Sequence, residues 1–346
     1  MRSVASNPAF SNLENFDDPA ARESGIDHTQ ATRPTTRIFP TASRLGLGCA
    51  SLGSRISKSS GLQALERALD SGINWFDLAP SYGDGDAEAV FGTFARSRRD
   101  RLHICTKVGM APTRIHPLMR ALKPTAQQVV SRFPQLRTLA ARGRPAPQRL
   151  VLNGQLILSS LENSLRRLNT EYLDVLALHY LEIDDLERDD VLRALEAVVT
   201  SGKARAVGVA GSPDVARLAI EQGKPWHIQF AVGAFARNLS DMAPVMAEAP
   251  SVVGHSIFAG LHALRSQLVL AADATRDVLA NHDYGMDLDI ALRSAMLDAA
   301  LANTPHGVTV LSAFTPAHLN FALERLEKHD GARAAAFHHD LRRVLA

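Results

Sequence analysis

Eight short apolar runs, each set between stretches of helical spacing, constrain this chain more than any other feature. They are RLGLGCA (44–50), INWFD (73–77), LHICTKV (102–108), YLDVLAL (172–178), ARAVGVA (204–210), HIQFAV (227–232), SVVGHSIF (251–258) and GVTVLSA (307–313). Leu62, Leu65 and Leu69 recur at helical spacing after the first run. Ile157, Leu161, Leu165 and Leu168 form a stripe before the fourth, and Leu192, Leu195 and Val199 follow it. Strands that alternate with helices pair in parallel through right-handed crossovers. Eight such units close into a (β/α)8 TIM barrel, whose reactive end is the rim formed by the C-terminal ends of the strands. An open doubly wound sheet is the competing arrangement, but it gives no reason for several strand ends to converge.

Length and charge fit this reading. At 346 residues the chain has room for a barrel of about 250 residues plus extensions. Residues 1–40 are polar and aperiodic and read as an N-terminal extension, partly disordered. The barrel is expected over 41–330, and a C-terminal helix or tail over 331–346. A formal net charge of +2 gives no argument for nucleic acid as a partner. No run approaches the ~20 apolar residues that cross a bilayer, and the first residues lack a secretory h-region. A soluble, cytoplasmic protein is the expectation, with Cys49 and Cys105 as buried reduced thiols inside strand-like runs.

One connection is too long for a minimal barrel. Residues 109–153 follow the third strand and should lie on the active-site side. They carry Arg114, Arg120, Lys123, Arg132, Arg137, Arg142, Arg144 and Arg149, with no acid between Asp100 and Glu162. The next rim loop, EIDDLERDD (182–190), is acidic. Either the two loops screen each other or face solvent, or the basic one draws in an anionic substrate or part of a dinucleotide.

The strand ends carry chemistry. The second run ends in Asp77, with Tyr82 five residues on in GINWFDLAPSYG; the third ends near Lys107, and the fourth is followed by His179. Each has an ordinary explanation when taken alone: an N-cap for Asp77, a rim lysine, a satisfied core histidine. Together they form a proton-transfer set. A phenol has a reference pKa near ~10, and an adjacent ammonium lowers it. A carboxylate keeps that ammonium charged, and a histidine can orient a substrate carbonyl.

In GINWFDLAPSYG, EAVFG (88–92), TKVG, SLRRLNTEYLDVLALHY and SGKARAVGVAGS the chain resembles the aldo-keto reductase family, from about Leu45 to Leu326. The resemblance implies that Tyr82 is the general acid of a tetrad with Asp77, Lys107 and His179. It implies an NAD(P)H-dependent oxidoreductase acting on an aldehyde, ketone or sugar carbonyl, or on the alcohol in reverse. Cofactor positions diverge. Where the family has a Ser-Asn pair for the nicotinamide amide, this chain has Ala210 and Gly211, whereas Gln229 is retained. His255 replaces the ring that stacks on the nicotinamide, with Ser256 next to it. Ser312, Ala313 and His318 stand at the positions that usually bind the 2′-phosphate, with Phe321 and Ala322 in place of Glu-Asn.

Family grounds put NADP(H) first, and the lack of strong cations at the phosphate positions points to NAD(H). The alternative is a divergent barrel with weak or no cofactor binding that serves as a ligand- or partner-binding protein. Other signals are set aside. Gly46-Leu-Gly48 lacks the third glycine of a dinucleotide fingerprint. Gly254-His255-Ser256 begins a nucleophile elbow that Phe258 does not close. His338-His339 reads as a solvated helix end, and no motif with metal-ligand spacing is present.

Overall fold

The computed structural model describes residues 39–111, 148–222, 227–233, 249 and 251–345. All eight apolar runs contain strands: β1 (Leu45–Gly48), β2 (Trp75–Asp77), β3 (His103–Val108), β4 (Leu173–His179), β5 (Ala204–Ala210), β6 (His227–Ala231), β7 (Ser251–His255) and β8 (Val308–Leu311). Each pairs in parallel with its sequence neighbours and β8 closes on β1, giving the expected barrel. The helices are α1 (Lys58–Asp70), α2 (Ala87–Ala95), α3 (Gly154–Leu168), α4 (Ile183–Glu187), α5 (Asp189–Thr200), α6 (Pro213–Glu221), α7 (Leu261–Leu270), α8 (Ala272–Asn281), α9 (Leu288–Asn303), α10 (Pro316–Lys328) and α11 (Gly331–Leu345). None of these described helices is long and apolar enough to cross a membrane.

Local chemistry accounts for the helix starts. Ser57, Asn153, Ser212, Asp287 and Thr315 each cap a helix by accepting from a backbone N–H of the first turn. The Ile157, Leu161, Leu165 and Leu168 stripe is buried on α3, as its spacing predicts. The seventh run stops three residues short of its expected end. Ser256 takes a left-handed φ of 55°, which takes the chain out of the extended region after His255.

The barrel interior is packed, and its lower end is aromatic. Trp75 stacks on His227 at 5.5 Å and on His103 at 6.0 Å, and Phe39 meets its edge at 5.5 Å. A Cβ on Gly46 would come within 2.9 Å of Trp75 Cδ1, so this glycine makes room for the indole. Just below, buried Asp174 accepts from Arg99 at 2.7 Å, Arg205 at 3.0 Å and the Ile104 amide at 2.9 Å. Both guanidiniums also pack over the Tyr172 ring, at 3.8 and 4.7 Å from its centroid. Burial alone would raise the Asp174 carboxyl, but His103, Arg99 and the Ile104 amide hold it below its ordinary value.

One expectation changes here. His338 is not a solvated residue: α11 lies on the helical layer, with Phe337 edge-on to Tyr284 at 5.2 Å, and His338 is buried beside it. Burial, helped by the Arg342 charge, pushes its imidazole down to about 4. Its neighbour His339 is exposed. The basic loop begins and ends as an antiparallel bridge between Met110 and Arg149, with Leu150 N donating to Gly109 O at 2.7 Å. Arg149 pairs with Asp185 at 2.6 Å and Glu182 at 3.2 Å, so basic and acidic segments meet at this point. Arg114, Arg120, Lys123, Arg132, Arg137, Arg142 and Arg144 lie outside the described residues, as does the extension before Phe39. Cys49 and Cys105 are buried free thiols, and burial raises both.

Candidate active site

Alternation along the strands brings the predicted groups to one end of the barrel. On β3, Thr106 faces out and Lys107 faces in. The outward hydroxyl donates to buried Glu88 at 2.6 Å, and Glu88 also accepts from Arg167 Nε at 2.6 Å. This buried acid ties α2 and α3 to the back of β3. On the inner side, Lys107 Nζ donates to both Asp77 oxygens at 2.7 Å and to Leu78 O at 3.0 Å. Lysine and aspartate are only 2% and 3% exposed. Burial by itself pushes the Lys107 pKa down, but the Asp77 carboxylate reverses this and raises it, so the ammonium stays charged.

Tyr82 stands above this pair. Its backbone N–H donates to Ala79 O, and Gly83 N donates to Ala50 O, which fixes a short turn after β2. Gly83 has φ 61°, and a Cβ there would lie 1.7 Å from Leu52 O; only glycine fits. The Tyr82 ring centroid is 4.9 Å from Lys107 Nζ. The lowered phenol pKa expected from that neighbour is not what results. Burial raises it most and the Asp77 charge adds to that, together outweighing the Lys107 contribution, so the net shift is upward.

His179, the last residue of β4, meets Tyr82 edge-on at 6.4 Å between ring centroids. Its Nδ1 is buried without a hydrogen-bond partner. Burial, then the charges of Lys107 and His255, hold this imidazole well below its ordinary pKa, so it is neutral. Tyr180 was not singled out in the sequence, although an aromatic directly after a strand-end histidine is a visible signal. It has φ 55°, is 42% exposed, and packs at a tilt of 36° against His179, with ring centroids 4.6 Å apart.

The candidate cofactor residues divide into two groups. Gln229, on β6, is 2% exposed, and its Nε2 donates to Asp77 Oδ1 at 2.9 Å. Its Oε1 is buried without a partner. His255 ends β7; its Nδ1 and the Ser256 hydroxyl are 2.8 Å apart, and burial lowers its pKa to about 4. Ser312 and His318 lie after β8. The Ser312 hydroxyl donates to Gly48 O at 3.3 Å, which ties β8 to β1. His318 is in the first turn of α10, and burial, followed by the Arg293 charge, lowers its pKa. Ala210 and Gly211, beside Gln229, offer no polar side chain.

Comparison with known proteins agrees with this architecture. The aldo-keto reductase YhdN of Bacillus subtilis is 26% identical over 175 residues, 49% of this chain and 43% of that protein. The L-glyceraldehyde 3-phosphate reductase of Escherichia coli is 29% identical over 182 residues, 51% of this chain and 43% of that protein. The match therefore spans less than half the length of either. Among solved structures, the glycerol dehydrogenase of Gluconobacter oxydans has a TM-score of 0.68 at 19% identity, covering 91% of this chain and 96% of that one. An aldo-keto reductase of Klebsiella pneumoniae in complex with NADPH has a TM-score of 0.61 at 20% identity, covering 89% and 94%. The model of the aldo/keto reductase family matches residues 44–226, a stretch that holds Asp77, Tyr82, Lys107 and His179 and more than half of the chain, and the chain belongs to that family.

Proposed function

We propose that this protein is a nicotinamide-dependent oxidoreductase that reduces the carbonyl of an aldehyde, ketone or sugar, with Tyr82 as the proton donor. The observation that carries the reading is the buried Asp77–Lys107 pair set beneath Tyr82, with neutral His179 edge-on to the phenol. When bound, a reduced nicotinamide would supply hydride to the carbonyl carbon. Tyr82 gives its hydroxyl proton to the carbonyl oxygen as negative charge develops there, and is reprotonated from solvent. Lys107 stabilises the phenolate that this leaves, and Asp77 keeps Lys107 in place and charged. His179, neutral, is placed to hydrogen-bond the carbonyl oxygen and set the angle of attack. The upward shift of Tyr82 keeps the proton-donating form populated at neutral pH, which suits reduction.

The nicotinamide end of a dinucleotide fits the residues present: the Oε1 of Gln229 is a buried acceptor lacking a donor, and His255 offers a neutral ring. For the adenosine end we rank NADP(H) before NAD(H). Ser312 and His318 supply no fixed charge; burial and then the Arg293 charge lower the His318 pKa. The substrate is a small carbonyl compound or sugar, and an anionic one if the basic 109–153 loop recruits it. A second reading, a ligand- or partner-binding barrel without turnover, rests on Ala210 and Gly211 at the amide positions.

Two measurements test these readings. Fluorescence titration with NADPH and NADH in parallel should give saturable binding; binding of neither transfers the weight to the second reading. Tyr82→Phe should lower kcat at least about a hundredfold while the cofactor dissociation constant stays put. An unchanged kcat removes Tyr82 from the mechanism.

A further inference from the structure

Two contacts hold the chain as it leaves β4. Gly109, the residue after β3, has φ 126°, and a Cβ there would lie 2.4 Å from His179 O. The backbone of one strand end thus rests directly on the backbone of the other. Leu150 N donates to Gly109 O at 2.7 Å and Met110 bridges Arg149, so Arg149 is tied to the same place. Its guanidinium reaches Asp185 Oδ2 at 2.6 Å and Glu182 Oε1 at 3.2 Å. Asp185 Oδ2 also accepts from Glu182 N at 2.9 Å, which joins the two acids at the start of α4. Residues 179–182 are therefore held at both ends. Between the two holds Tyr180 takes its left-handed φ of 55°, a costly conformation for a large side chain that persists where its surroundings impose it.

We propose that Arg149 is a positioning residue for His179: its clasp on Glu182 and Asp185 maintains the strained turn that directs the His179 ring toward Tyr82. The role rests on the reading that Tyr82 and His179 act together on a carbonyl. Arg149 works through the backbone and needs no contact with the substrate. Without the clasp, Tyr180 can relax to a negative φ, which turns the peptide between Tyr180 and His179. The imidazole then leaves its edge-on contact with Tyr82, now 6.4 Å between ring centroids. Tyr180, packed against the same imidazole, moves with it. Arginine suits the task because two nitrogens of one rigid fork engage two acids, which a lysine ammonium does less well. The Arg149 side chain is 40% exposed whereas that of Asp185 is 9% exposed, so the clasp has one face open to salt.

The test follows the His179 ring itself, by NMR of the full-length protein with isotope-labelled histidine; the resonance missing from His179→Gln assigns it. In the wild type this ring should stay neutral down to about pH 5.5. In Arg149→Met its titration midpoint should move up toward about 6.5 as the ring leaves its buried seat, and Arg149→Lys should lie between the two. Kinetics give a second readout. With p-nitrobenzaldehyde and saturating NADPH, Arg149→Met should lower kcat about three- to fivefold and leave the NADPH dissociation constant unchanged. Raising the ionic strength from about 0.05 M to about 0.5 M should bring the wild-type kcat down toward that of the variant, whose own kcat stays flat. A His179 midpoint that is the same in Arg149→Met as in the wild type overturns the positioning role, as does an equal response of both kcat values to salt. The functional reading survives either result. A wild type that fails to bind NADPH and NADH removes that reading, and the NMR comparison still decides whether Arg149 sets the ring.

Discussion

Replacing Asp77 with Asn should turn the stability of this barrel into a function of pH. In the wild type, Lys107 is 2% exposed and its charge is balanced by two contacts of 2.7 Å to Asp77. Asparagine keeps the shape and removes the negative charge, leaving the ammonium with Leu78 O and an amide oxygen. Breaking a buried ion pair from one side costs about 3–5 kcal/mol at neutral pH. The sign of the pH dependence then reverses. In the wild type the Lys107 pKa is raised by folding, so its contribution is complete below the unfolded value of about 10.4 and is lost as pH rises through the folded value. In Asp77→Asn, desolvation is no longer opposed by a carboxylate, the largest raising contribution, and the folded pKa falls below about 10.4. The unfolded chain then binds the extra proton, and stability recovers by up to about 1.4 kcal/mol per pH unit between the depressed value and about 10.4. Urea unfolding followed by far-ultraviolet circular dichroism, at a series of pH values from about 7 to about 10, measures this directly. Asp77→Asn combined with Lys107→Met should regain a large part of the loss at neutral pH, because no buried charge remains. A cost below about 1 kcal/mol at neutral pH, or one that does not shrink with rising pH, would refute the claim that the pair is buried and charged.

Other consequences can be read at the bench. Because burial holds Tyr82 in its phenol form and His179 in its neutral form, the kcat for carbonyl reduction should be flat from about pH 6.5 to about pH 9, whereas alcohol oxidation, which needs the phenolate, should climb with pH; a reductive limb falling through pH 8 or so contradicts this. Gly83→Ala places a methyl group 1.7 Å from Leu52 O at a φ of 61°, and should lower the unfolding free energy by more than about 2 kcal/mol and reduce kcat together, measured on the same preparation. Arg293→Ala should weaken NADPH binding about tenfold and leave NADH nearly unchanged, if this guanidinium, whose charge lowers the His318 pKa, receives the 2′-phosphate. Equal losses for both cofactors would assign Arg293 to packing.

The barrel was legible because each strand is a short apolar run between helical spacings, a pattern with few alternative folds. Asp77, Tyr82, Lys107 and His179 were legible because alternation and parallel pairing send strand-end residues to one rim. What the sequence concealed depends on side chains from distant segments. The partner of Gln229 is 152 positions away at Asp77, and no local spacing announces it. The burial of His338 follows from the packing of α11 on its neighbours, which its own polarity argues against. The early end of β7 depends on one backbone dihedral at Ser256, a serine that composition cannot distinguish from any other. The shift of Tyr82 was read with the wrong sign because a sequence identifies a neighbouring charge more easily than it measures desolvation.

Thr106 and Lys107 have a bearing on how β3 finds its alignment as the chain folds. One buried acid waits on each side of the strand, Glu88 for the hydroxyl and Asp77 for the ammonium. A slip of one residue would exchange the two faces and offer Lys107 to Glu88. Arg167 already occupies the second oxygen of Glu88, so the displaced lysine would add a second cation there, while Asp77 would be left buried with no cation at all. The misaligned strand thus loses a whole counter-charge. The same arginine that holds α3 against the barrel acts as a lock on the one alignment in which Lys107 can reach the rim.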